Sequence, residues 1–170
     1  MKKIVCICLS ALCLIGCSST PKATPEPTTT PDVFTSASTN NFYEASSWTG
    51  DQLIEAIKNR SGSWTIATVN PDNTPNLAVA VFGMLDDTTL VLNLAPNQTG
   101  ENIVRTKEAV AIIYQYTNNQ EIEKTLRNQG AKLKLALVSE EEFKKYQDAN
   151  PDTVTETSLV LKIVEVLPLG

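Results

Sequence analysis

Between Trp64 and Tyr116 the chain alternates apolar and polar residues through three strand-like runs. It then breaks into a polar turn, a short helix and a further strand. Period-two alternation of this kind fits half-buried strands and excludes a helical bundle. Trp64 to Val69 reads as one strand, with Ile66 and Ala67 near its centre. Asn70-Pro71-Asp72-Asn73-Thr74-Pro75 reads as a turn, because proline fixes φ while Asp and Asn bond their own backbone. Leu77 to Leu85 is almost wholly apolar, the pattern of a strand covered on both faces. Asp86-Asp87 closes a hairpin into Thr89 to Leu94, and Ala109 to Tyr116 gives the next strand.

Around this centre the other elements follow from local chemistry. Thr49-Gly50-Asp51-Gln52 has capping-box spacing and opens a helix whose stripe is Leu53, Ile54 and Ile57, running to Asn59 or Arg60 before Gly62. The polar run Asn97-Gln98-Thr99-Gly100 leads into a helix expected from Glu101 to Lys107. A loop with a short helix around Gln120 to Leu126 precedes a strand from Ala131 to Val138. Ser139 and Glu142 form a second capping box, opening a helix to about Asp148, and Ser158 to Leu167 supplies the sixth strand. The expected fold is mainly β with peripheral helices: a six-stranded antiparallel split barrel.

The ends carry a different message. Lys2 and Lys3 precede the apolar run Ile4 to Ile15, too short to span a bilayer and matching a secretory signal peptide. Leu14-Ile15-Gly16-Cys17 looks like a bacterial lipobox, which implies lipidation at Cys17 and a bacterial exported protein bound to membrane lipid. Residues 1–16 are thus expected to be signal peptide and residues 17–41 a Pro-, Thr- and Ser-rich tether. Such a composition buries too little apolar surface to fold, and its reach is roughly 70 Å. Residues 42–170 then form one domain.

Absences narrow the chemistry. The chain has no histidine, and its four cysteines, Cys6, Cys8, Cys13 and Cys17, all precede the domain. Disulfides, thiol catalysis, Ser-His-Asp chemistry and the common zinc sites are therefore outside its means. From Phe42 onward seventeen acidic residues oppose eleven basic ones, a net charge of −6 with no basic stripe, so nucleic acid is not an expected partner. Adjacent Asp86 and Asp87 serve the turn, and Glu140-Glu141-Glu142 suits a helix N-terminus. Trp48, Trp64, Tyr114 and Tyr116 are expected in the core, and Lys132 and Lys134 on a solvated strand face.

The order strand, turn, strand, turn, strand, Asn-rich loop, helix opening on Glu101-Asn102-Ile103, strand resembles the pyridoxamine 5′-phosphate oxidase-like FMN-binding split-barrel family over roughly residues 43–170. The resemblance implies a borrowed flavin as the reactive group, a small-molecule redox partner and a homodimer with flavins between subunits. It places Asn97, Gln98, Thr99 and Asn102 at the phosphate, where a helix N-terminus favours an anion. It places Ala78, Ala80 and Val81 where backbone approaches the ring, and Asn93 where a polar side chain meets it. No catalytic side chain is implied. This chain departs from the family at Gln98 and Thr99, where Lys or Arg is usual at one or two of the positions, and Arg105 or Lys107 can substitute only if the fold turns it back. Losing a charge-assisted bond of roughly 1.5–3 kcal/mol lowers affinity by one or two decades. A flavin-dependent electron carrier, a non-catalytic module binding a phosphate-free or lipid-like ligand, and a structural envelope protein all remain open.

Overall fold

The computed structural model describes residues 44–169, so the signal peptide, Cys17 and the tether lie outside the described residues. Seven strands form one sheet: β1 (Ser63–Val69), β2 (Pro75–Val79), β3 (Gly83–Asp86), β4 (Thr89–Leu92), β5 (Glu108–Tyr116), β6 (Asn128–Leu137) and β7 (Leu159–Leu167). Their order is β2-β1-β5-β6-β7-β4-β3, with every pairing antiparallel. Three helices, α1 (Gly50–Lys58), α2 (Gln98–Thr106) and α3 (Glu140–Ala149), complete a mainly β fold of the expected kind.

β2 and β3 stand at opposite ends of this order, yet only Ala80, Val81 and Phe82 separate them. Such a link spans at most roughly 14 Å. The outer strands of a flat seven-stranded sheet would stand about 29 Å apart. The sheet must therefore curl until its edges meet, which makes a barrel with its seam between β2 and β3. The apolar run Leu77 to Leu85 is thus not one straight strand. It pairs with β1, bends at Ala80–Phe82, and then pairs with β4, so six expected runs become seven strands.

Inside the barrel pack Ile66, Phe82, Leu90, Ile113, Leu133 and Leu161, each 1% exposed or less. Phe82 stacks on Trp64 with ring centroids 5.5 Å apart, so the bend is anchored by aromatic contact. Trp48 and Trp64 are core residues, as expected. α1 contributes Leu53, Ala56 and Ile57 to this core, and α2 contributes Ile103. α3 works on the outside, where Phe143 and Tyr146 cover Val91 and Val160 of β4 and β7. β4 is consequently buried on both faces.

Several boundaries differ from expectation. α2 begins at Gln98 rather than Glu101, because Asn97 caps it. The Ser139–Glu142 capping box forms, with Ser139 Oγ accepting from the Glu142 amide at 3.2 Å. Its counterpart at Thr49 makes no side-chain cap, since Gly50 takes a left-handed φ of 52° before the helical amides line up. In place of a helix over Gln120 to Leu126 there is a 3₁₀ turn at Lys124–Arg127. Arg127 holds that turn through the Ile122 carbonyl at 2.8 Å and Gln120 Oε1 at 3.0 Å.

Candidate functional site

The outer face of β2, β1 and β5 is built from cross-strand rows. Val79 lies beside Thr65 and Thr65 beside Ile112; Leu77 lies beside Ala67 and Ala67 beside Val110. All these side chains are apolar or small. Leu77 is 69% exposed, Val79 82% and Val81 53%. An antiparallel sheet with one open face ordinarily makes that face polar. Lys132 and Lys134 bound it, next in register to Ile112 and Val110. Nothing among the described residues covers this face as α3 covers β4 and β7.

At one end of the face lies a cleft of about 420 Å³, lined by Arg60, Ser63, Thr65, Val79, Ala80 and Val81, with Gly62 and Trp64. Its rim is the exit from α1. The Arg60 amide donates to the Ile57 carbonyl at 3.0 Å and the Ser61 amide to the Ala56 carbonyl at 2.9 Å, the paired bonds of a Schellman end. Arg60 accordingly takes a left-handed φ of 51°. Gly62 follows at φ 75°, and a Cβ there would sit 2.4 Å from the Tyr114 carbonyl oxygen, so only glycine fits. Trp64 Nε1 donates to the Ser61 carbonyl at 2.8 Å and fixes the turn against β1.

The start of α2 is organised quite differently from a phosphate cradle. Asn97 Oδ1 accepts from the Gly100 amide at 2.9 Å, filling the anion position with the chain's own carboxamide. Thr99 is buried, and its hydroxyl accepts from Asn76 Nδ2 at 2.9 Å. Asn102 is wholly buried; its Nδ2 donates to Asn70 Oδ1 at 2.8 Å and Thr68 Oγ1 at 3.1 Å. Its Oδ1 accepts from Gln98 Nε2 at 3.0 Å. Arg105 does turn back, but its guanidinium donates to the Val69 carbonyl and, at 3.5 Å, to Asn102 Oδ1. Among the described residues no buried side-chain polar atom lacks a partner. Gln98, Thr99 and Asn102 therefore join a self-satisfied network, and Glu101 adds a carboxylate to the first turn. These residues do not fit a phosphate group.

The expected site residues thus fall into separate places. Ala80 and Val81 reach the cleft beside Arg60, with Ala80 buried and Val81 facing out. Ala78 is partly buried against the core. Asn93, just past β4, donates to the Thr153 carbonyl at 3.2 Å and accepts from the Ser158 hydroxyl. Asn97 lines a second cleft, also about 420 Å³, with Leu94, Gly100, Glu101, Arg105 and Leu159. Tyr114 and Tyr116 are exposed instead of core, because β5 turns them to the open face; the Tyr114 hydroxyl donates to Asn128 Oδ1 at 2.7 Å. Sequence reasoning did not single out Arg60, Thr68 or Asn76. For the last two a signal existed: both are polar at inward positions of strands whose other inward residues are apolar.

Among the described residues no group of three or more His, Cys, Asp or Glu is placed to hold a metal. Asp86 Oδ1 accepts from the Thr88 amide at 2.9 Å and its Oδ2 from the Tyr146 hydroxyl at 2.7 Å. Burial pulls the Asp86 carboxyl upward, but bonds from Tyr146, Thr88 and Thr89 outweigh it and hold the group below its ordinary value. Asp87 pairs with Lys58 at 3.6 Å.

No family model and no curated protein matches the chain. Solved structures with a related fold include an FMN-binding protein from Syntrophomonas wolfei, 22% identical with a TM-score of 0.49, over 69% of this chain and 84% of that one. A candidate pyridoxamine 5′-phosphate oxidase from Lactobacillus delbrueckii is 15% identical with a TM-score of 0.48, over 70% of this chain and 93% of that one. A heme binding protein from Mycobacterium smegmatis is 17% identical with a TM-score of 0.43, over 66% of this chain and 49% of that one. The structures that this mainly β, antiparallel chain resembles in fold thus include FMN-binding and pyridoxamine 5′-phosphate oxidase-type split barrels.

Proposed function

We propose that the domain binds FMN or a related flat heteroaromatic cofactor on the open face of β2, β1 and β5. In this reading two copies cover the face between them, and a lipid on Cys17 with the tether of residues 17–41 presents the dimer beyond a membrane. The observation that carries the proposal is the uncovered apolar face itself, on which Val79 is 82% exposed. Burying such surface is worth about 25 cal/mol per Å², and a stable pair needs about 800 Å² per partner. A flat ring against Val79 and Val81 would extend the covered area into the cleft. When bound, the flavin would supply the electron-transfer chemistry; this chain would supply apolar walls and the hydroxyls of Ser63 and Thr65.

A second reading, a ligand-binding module without redox turnover, is favoured by one observation: the self-satisfied start of α2, where the Arg105 guanidinium already donates to the Val69 carbonyl and to Asn102. Three measurements on the purified protein decide. Visible absorbance after incubation with FMN and desalting should show retained flavin, and sedimentation should give twice the subunit mass. Retained flavin without reduction by a nicotinamide donor in the presence of an artificial acceptor would favour the module. A colourless monomer would overturn the flavin-dimer proposal.

A further inference from the structure

The geometry points to Arg60 as the anion-binding residue of the ligand cleft; the cation near the start of α2, Arg105, is already bonded to the Val69 carbonyl and to Asn102. This rests on the flavin reading and names the group by which the site would take a phosphate monoester on a flat ligand. Arg60 is the only charged residue among those lining the cleft, and its guanidinium makes no hydrogen bond or ion pair with another described residue. The hydroxyls of Ser63 and Thr65 lie in the same cleft, so a cation, two further polar groups and the apolar wall of Val79 and Val81 surround one space.

The backbone supplies an independent argument. Arg60 occupies the left-handed position of a Schellman end, where glycine is the favoured residue and a side chain carries a conformational cost. A strained residue beside a cleft suggests that its side chain is needed there. The turn that carries it is fixed at Gly62 against Tyr114 and at Ser61 against Trp64, so the guanidinium is delivered from a set position. Lys107 provides the contrast. It too is left-handed at a helix end, but it lines a cleft that also contains Glu140 and Glu156, whose carboxylates oppose an anion. A basic residue near a helix C-terminus can also serve the helix dipole alone, and the test separates that role.

FMN, riboflavin and inorganic phosphate are titrated by calorimetry into the full-length protein and into Arg60→Gly, Arg60→Lys and Lys107→Gly. FMN should bind roughly tenfold or more tighter than riboflavin, the scale of a charge-assisted bond. Arg60→Gly should erase that preference by weakening FMN alone, while raising the melting temperature because glycine suits the left-handed turn. Arg60→Lys should keep part of the preference, Lys107→Gly all of it, and phosphate should compete with FMN but not with riboflavin. Equal binding of both flavins by the unaltered protein, or a preference that survives Arg60→Gly, would overturn the role of Arg60 and leave the flavin reading standing. Binding of neither flavin would overturn both.

Discussion

Asn102 shows how a residue that reads as a ligand from its position becomes structural in its setting. It ties α2 to Thr68 and Asn70 at the end of β1. Replacing it with leucine would remove bonds from Thr68, Asn70 and Gln98, of which only Thr68 is buried, and would place an apolar side chain among them, so Asn102→Leu should lose about 1–3 kcal/mol in urea denaturation. A loss within experimental error would mean that water replaces the network. This outcome was hard to read from sequence, because Asn97-Gln98-Thr99-Gly100 has the composition of a loop and nothing in it says which way each amide points. Arg60 was equally hidden, since a positive φ is advertised by glycine and not by arginine. Asp86 yields to a titration argument instead. Its carboxyl is held below the ordinary value, so its contribution to stability is present above about pH 4 and disappears as pH falls through the lowered folded value. Tyr146→Phe, which removes one of those bonds, should destabilise the protein at pH 7, and the deficit should shrink toward pH 2. A deficit independent of pH would mean that the bond between the Tyr146 and Thr89 hydroxyls, not the one to Asp86, carries the loss.

At the scale of elements, two helix starts of similar sequence form an internal control. Ser139 caps α3 reciprocally with Glu142, whereas Thr49 makes no side-chain bond at α1. Ser139→Ala should therefore cost about 1 kcal/mol in chemical denaturation, and Thr49→Ala should stay within about 0.5 kcal/mol of zero. Equal losses at both sites would show that Thr49 caps in solution. The bonds from the Ser139 amide and hydroxyl also hold the Glu142 carboxyl below its usual value, so the Ser139 effect should fade in acid. Strands were the legible elements here: β1, β5 and β6 alternate between core and surface clearly enough to place within a few residues. The bend was not, because Ala78-Val79-Ala80-Val81-Phe82 is apolar throughout and carries no glycine or proline where the chain leaves one edge for the other.

For the whole molecule the controlling asymmetry is between two outer faces of one barrel. One is sealed by α3, and the other, on β2, β1 and β5, is left apolar and open. Sequence had indicated a run covered on both faces, and among the described residues one cover is absent. Val79→Asp should consequently convert a dimer to a monomer in sedimentation while leaving the circular dichroism unchanged, since the side chain is 82% exposed in the single chain. A protein that stays dimeric would place its interface elsewhere. Cys17→Ser should abolish incorporation of labelled fatty acid and release the protein from membranes, and persistent membrane attachment would point to a different anchor.

The link of Ala80–Phe82 between opposite sheet edges also sets an order in which the barrel can close. β1 and β2 can pair as soon as both have emerged, being neighbours in the chain. β4, however, has only β3 and the last strand, β7, as partners. Until Leu159–Leu167 has joined the sheet, the β3–β4 hairpin hangs from the end of β2 with one edge unmatched. A chain truncated before β7 would therefore be an open sheet presenting a bare, sticky edge and not a smaller barrel.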